Sequence, residues 1–159
     1  MNYANSLNTY SSLIDPIILL EDEEGKYYSR SEFPFQEEAY KIIGAFMEVH
    51  KVLGRGFLES VYHEALCIEL TKREIPFEAN KVLNVHYKDI KLKKTFTADI
   101  FAYHNIIVEL KAIDGSLDPY QGQVINYLSA TNLGLGLLFN FGMPSLHYKR
   151  VILSINLKK

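Results

Sequence analysis

Between Ala98 and Gly115 the chain reads ADIFAYHNIIVELKAIDG, two strand-like segments (97–103 and 106–112) around His104-Asn105. This predicts a β-hairpin, and its second strand constrains the fold most. The apolar run Ile106-Ile107-Val108 ends in Glu109 and Lys111. In a period-2 strand Glu109 and Lys111 share one face, while Ile106, Val108 and Leu110 take the other. Burying even an uncharged polar group without a partner costs roughly 2–7 kcal/mol, and an unpaired ion costs more. Any fold built on this hairpin must therefore supply a partner for those charges.

The hairpin register decides which partner is at hand. A two-residue loop sets Asp99 opposite Leu110, with its carboxylate aimed into the apolar side. A three-residue loop, or a bulge at Asn105, sets Asp99 beside Lys111 and diagonal to Glu109. Ile100, Ala102, Val108 and Leu110 then segregate cleanly on the opposite face, so this second register is the one expected.

Around the hairpin the pattern is that of an α/β protein. Ala39, Ile42, Ile43, Phe46, Val49, His50 and Leu53 recur at three-and-four spacing before Gly54, which predicts an amphipathic helix. A second helix is expected from about Phe57 to Arg73, with Leu58, Val61, Ala65, Ile68 and Leu66 inward, ending before Pro76. Segments 82–87 and 90–96 flank Lys88-Asp89 as a further hairpin. DPYQGQVINYLSAT is a helix with Pro119 near its start, LGLLFNF an apolar strand buried on both faces, and HYKRVILSI a last strand. From residue 56 the order is α, β, β, β, α, β, β, an α/β sandwich on a mixed central sheet flanked by helices.

At 159 residues the chain has room for one domain with a proper core. That domain is expected over residues 34–159, after an extension at 1–33 whose apolar patch Ile17–Leu20 docks and whose acidic run Glu21–Glu24 is solvated. The net charge of −2 argues against a protein held to nucleic acid by bulk electrostatics alone. Cys67 is the single cysteine and reads as a core thiol, so no disulfide framework or thiolate metal site is expected. The five histidines show no metal-ligand spacing, and His50 on an apolar helical stripe reads as a satisfied core residue. The first residues lack the basic flank and apolar stretch of a secretory signal, and no apolar run approaches the ~18 residues of a membrane span. A cytoplasmic location is expected.

Two carboxylates and a lysine converging at a strand end suit divalent-metal phosphodiester chemistry. Mg²⁺ takes hard oxygen ligands and keeps several waters, so two carboxylates, a backbone carbonyl and a substrate phosphate suffice, with Mn²⁺ as a substitute. Lys111 is placed to orient a nucleophilic water and to stabilise developing negative charge. The tripeptide alone is weak evidence, since Glu24-Gly25-Lys26 and Asp89-Ile90-Lys91 match it too. Context separates Glu109-Leu110-Lys111 from these, because Asp99 lies across a hairpin and apolar strands flank both. The competing reading is a structural salt bridge at a sheet edge.

Gly56-Phe57-Leu58-Glu59-Ser60-Val61-Tyr62, with ADIFAYHNIIVELKA, GQVINYLSAT and GLLFNFG, resembles the GxxExxY proteins of the PD-(D/E)XK nuclease superfamily over about Glu37 to Leu153. The resemblance implies a restriction-endonuclease-like αβββαβ core and a divalent-metal-dependent nuclease. It implies Asp99 and Glu109 as metal ligands, Lys111 as catalytic lysine, Glu59 as an additional acid at the metal or its waters, and Gln123 as a site residue touching substrate or water. Tyr62 is expected to pack. Many relatives carry a histidine where this chain has Tyr120, and a phenol does not titrate near neutral pH.

DNA is the expected substrate, and a homodimer is expected if both strands of a duplex are cut. Lys88, Lys91, Lys93, Lys94, Lys149 and Arg150 are available to phosphates, although KLKK reads most simply as the solvated side of an edge strand. A noncatalytic interaction module that keeps the nuclease fold is the alternative.

Overall fold

The computed structural model describes residues 35–153 and the backbone of two short strands, β1 (Leu20–Glu21) and β2 (Tyr27–Tyr28), which pair antiparallel. The rest of the extension expected at residues 1–33 lies outside the described residues.

Helix α1 (Gln36–Leu53) forms where the three-and-four spacing places it, and Ala39, Ile42, Ile43, Ala45, Phe46 and Val49 are buried along one stripe. Glu37 and Glu38 in its first turn and His50 and Lys51 in its last complement the helix dipole. Gly54 closes it at φ 67°, a left-handed conformation costly for other residues, and its N–H donates to the His50 carbonyl.

Helix α2 (Glu59–Lys72) differs from expectation in phase. Tyr62, Leu66 and Leu70 are buried, while Leu58 and Ile68, expected inside, are 75% and 53% exposed, and Val61 is exposed as well. Apolar residues occur all round this helix, so spacing alone selects no face. Tyr62 selects it: its hydroxyl donates to the Gly54 carbonyl at 2.6 Å and accepts from the Phe57 N–H at 3.2 Å. Its ring stacks on Phe141 with centroids 4.3 Å apart. Tyr62 is thus a packing residue that sets the helix's rotation, and that rotation turns Glu59 and His63 toward the sheet.

Five strands follow in spatial order identical to chain order: β3 (Phe77–Tyr87), β4 (Ile90–Ala102), β5 (Ile106–Lys111), β6 (Leu135–Asn140) and β7 (His147–Ile152). β3 starts earlier than the expected residue 82, and segments 90–96 and 97–103 form one strand. Neighbours are antiparallel except β5 and β6, which are parallel and joined through helix α3 (Gln121–Thr131). A parallel pair requires such a crossover.

The sheet is mixed and covered on both faces, the restriction-endonuclease-like α/β arrangement. On one face Phe46 of α1 stacks on Phe139 with centroids 3.7 Å apart, and Leu66 of α2 joins Ile100, Val108 and Leu110 in the same core. On the other, Val124 and Leu128 of α3 pack with Ile107, Leu138 and Val151. β6 is buried throughout, as LGLLFNF predicts. Helix α3 sits so close that a Cβ on Gly136 would lie 2.3 Å from Val124 Cγ1.

Candidate metal and phosphodiester site

The hairpin between β4 and β5 has a three-residue loop, Tyr103–Asn105, with Ala102 paired to Ile106 and Ile100 to Val108. Tyr103 and His104 both take positive φ, at 53° and 58°. This corrects the expected alignment: the added loop residue is Tyr103, on the β4 side, so the register runs toward Asp99 against Glu109 rather than against Lys111. The face assignment stands. Ile100, Ala102, Val108 and Leu110 lie in the core under α1 and α2, as the pattern required.

β4 changes face at Asp99. Phe96 and Ala98 pack toward α3, whereas Ile100 and Ala102 pack toward α1 and α2. Asn80, on the facing stretch of β3, has φ 50°. The regular ladder gives way there to crossed bonds from side chains. The Asp99 N–H donates to Glu109 Oε1 at 3.1 Å, and the Leu110 N–H donates to Asp99 Oδ2 at 2.9 Å. Each carboxylate is held by the other strand's backbone.

Glu109 is buried, with 2% of its surface exposed, and Asp99 is half-buried. Burial pushes the Glu109 carboxyl up to about 9, reinforced by the charge of Asp99 and a side-chain hydrogen bond to it. The Asp99 N–H and the Lys111 ammonium pull the other way without prevailing. Lys111 is half-buried, and its Nζ lies over the Tyr120 ring, 5.1 Å from the centroid. Among the described residues Lys111 is in no ion pair with a carboxylate, unlike Lys81 with Glu78 and Lys149 with Asp118.

Glu59 opens α2 and is exposed; its Oε1 accepts from the Ala112 N–H at 3.4 Å, at the rim where β5 ends. Gln123 is half-buried, and its Nε2 donates to the Tyr127 hydroxyl at 2.8 Å. Burial and then the Glu109 charge push the Tyr127 phenol up, Gln123 opposes this, and Asp99 adds to it.

Two neighbours escaped sequence reasoning. Tyr127 lies one helical turn beyond Gln123, and that i, i+4 spacing was the available signal. His63 lies one turn beyond Glu59, and its Nε2 sits 2.9 Å from the Asp99 carbonyl oxygen. The misread phase of α2 hid it.

Behind Lys111 the chain is fixed from β6. The Phe141 N–H donates to the Lys111 carbonyl at 2.8 Å. Asn140, fully buried, accepts from the Ile113 and Gly142 N–H groups at 3.0 and 2.9 Å and donates to the Gly115 carbonyl at 3.1 Å.

The donor set fits a hard divalent cation. Among the described residues no three His, Cys, Asp or Glu side chains form a ready-made cage. Mg²⁺ does not require one, since one or two carboxylates plus waters and substrate phosphate complete its shell. Asp99 and Glu109, brought together on neighbouring strands, are two carboxylates of that kind.

A covered mixed sheet with an acid pair on adjacent strands and a lysine two residues on defines a class of metal-dependent phosphodiester-cleaving folds. The chain belongs to the PD-(D/E)XK nuclease superfamily, whose sequence model matches residues 36–151. That membership implies nucleic acid as substrate and a divalent metal as cofactor. Neither the curated proteins nor the solved structures give a match. No helix among the described residues is long and apolar enough to cross a membrane.

Proposed function

We propose that this protein is a Mg²⁺-dependent nuclease of the GxxExxY type that hydrolyses phosphodiester bonds of DNA, with Mn²⁺ able to replace Mg²⁺. Residues 34–159 form its nuclease domain. The observation that carries the reading is the crossed Asp99–Glu109 pair, two carboxylates locked together by backbone N–H groups with Glu109 out of water. Such a pair is costly in isolation and favourable around a cation.

Asp99 and Glu109 would hold the metal, with Glu59 at the rim engaging its waters. A divalent cation there supplies positive charge to the scissile phosphate and lowers the pKa of a water. Lys111, unpaired among the described residues, orients the attacking water and stabilises charge developing on the phosphate oxygens. Gln123, whose side chain fixes the Tyr127 phenol, lines the site and contacts substrate or a water. His63 steadies the Asp99 backbone from α2.

The test is calorimetric titration of Mg²⁺ and Mn²⁺ into wild type and Asp99→Ala, paired with cleavage assays on single- and double-stranded DNA and RNA. Metal binding and DNA cleavage that vanish together in the variant support the reading. A wild type that binds no divalent metal at millimolar concentration sinks it, and leaves the acid pair as a structural network in an interaction module.

A further inference from the structure

β4 pairs with β5 only from Ile100 to Ala102, so its earlier part runs beyond the sheet with β3 alone. Past the packed pair Leu83 and Phe96, residues 84–95 form a two-stranded ribbon. Val85 and Thr95 are half-buried; the other residues are exposed. This ribbon carries Lys88, Lys91, Lys93 and Lys94 against the single acid Asp89, a net of +3 in a chain whose total is −2. The charge is concentrated where the packing is least.

Among the described residues none of the four lysines belongs to an ion pair, whereas Lys81, nearer the sheet, is paired to Glu78, and Lys149 to Asp118. The tip also exposes apolar surface: Tyr87 is 63% and Ile90 67% exposed, and Lys88 Nζ lies 5.6 Å from the Tyr87 ring centroid. The register shifts between Asn84 and His86. A bulge there increases the twist and spreads the side chains around the ribbon, where a flat strand would confine them to two directions.

We infer that the β3–β4 ribbon is an arm that enters a groove of duplex DNA and grips phosphates on its walls, placing the duplex across the Asp99–Glu109 site. The inference rests on the nuclease reading above and gives it a substrate surface. A major groove of about 12 Å admits a two-stranded ribbon, and phosphates line both of its walls. Cations distributed around the ribbon suit that setting. β4 itself joins arm to site: Lys94 and Lys91 precede Asp99 by five and eight residues, which at ~3.3 Å per residue is about 17 and 26 Å. At 3.4 Å per base pair the grip falls roughly five to eight base pairs from the cut. Lysines on unpaired strands also discourage strand addition, but that role has no salt dependence in DNA binding.

The experiment compares wild type with K88Q/K91Q/K93Q/K94Q and the corresponding four-arginine variant. It measures binding to duplex DNA of 8, 16 and 24 base pairs, and to single strands, across salt concentration, with thermal melting of each protein as the check on folding. The inference expects the glutamine variant to bind 16- and 24-base-pair duplexes at least tenfold more weakly at low salt. Its log–log salt slope should be shallower by about 2–4, near 0.9 per lost phosphate contact. The arginine variant should restore both, and the 8-base-pair duplex should show little difference. An unchanged slope overturns the inference, as does an equal loss on single-stranded DNA or on duplex RNA. If wild type binds no metal and cuts nothing while the ribbon's salt slope is as expected, the nuclease reading fails and the arm stands.

Discussion

At the scale of single residues, Glu109 has the most measurable consequence. Its carboxyl is pushed up to about 9 from an ordinary value of 4.5, chiefly by burial and then by Asp99. The folded protein therefore keeps a proton that the unfolded chain has released across that interval. The associated stability is fully present below the unfolded value and is lost as pH rises toward 9. In metal-free protein, Glu109→Gln should flatten this dependence, so that the variant melts at or above wild type at pH 8 and loses its advantage near pH 5. Parallel melting curves of the two proteins across that range would contradict it. Lys111 yields a second prediction through Tyr120. A cation over an aromatic face is worth roughly 0.5–2 kcal/mol, so losing the ring should slow cleavage by about 2–30-fold. Tyr120→Phe keeps the ring face and should cleave within about twofold of wild type, whereas Tyr120→Leu should show the loss in kcat. Equal rates for the two variants would mean the ring contributes nothing to Lys111.

At the scale of elements, β6 acts as the template for the end of β5. Asn140, fully buried, satisfies two backbone groups of the segment after Lys111, the Ile113 N–H and the Gly115 carbonyl, and also the Gly142 N–H just beyond its own strand. Removing one partner of a buried hydrogen bond leaves the other to bear its desolvation, about 1–3 kcal/mol. Asn140→Ala should therefore lower unfolding free energy by at least that range in urea titration and reduce kcat along with it. If kcat is unaffected, the loop does not aim Lys111. A Cβ on Gly142 would lie 2.1 Å from the Ile113 carbonyl oxygen, so the same segment admits no side chain there. These elements also show what sequence makes legible. The stripe of α1, the two-faced burial of β6 and the segregation of Val108 and Leu110 from Glu109 were readable because one periodicity fixed each. The phase of α2 was not, because Leu58, Val61 and Ile68 are as apolar as the residues it buries, and a phenol bonded to Gly54 decides between them. The turn of β4 at Asp99 was not readable either. It depends on backbone geometry at Asn80 and on the loop taking Tyr103, and neither leaves a periodic trace.

At the scale of the whole molecule, a cation at the proposed site would couple the site to the fold. Asp99 and Glu109 join β4 to β5, and Glu59 and His63 fasten α2 to the same strand ends. A ligand bound there contacts groups that unfolding separates, so it stabilises the native state by RT ln(1 + [L]/Kd), about 2.7 kcal/mol at a hundredfold excess over Kd. For a chain of this size that corresponds to a rise in Tm of roughly 5–10 °C. A cation held by Glu109 would have to displace the proton that burial keeps there, and so would compete less well as pH falls. Mg²⁺ or Mn²⁺ should therefore raise Tm more at pH 8.5 than at pH 6, as followed by calorimetry at fixed ionic strength. Asp99→Ala and Glu109→Gln should abolish the rise, while Glu59→Ala, at the rim, should reduce it. A rise independent of pH would place the cation away from Glu109, and an intact rise in Asp99→Ala would place it away from the hairpin altogether.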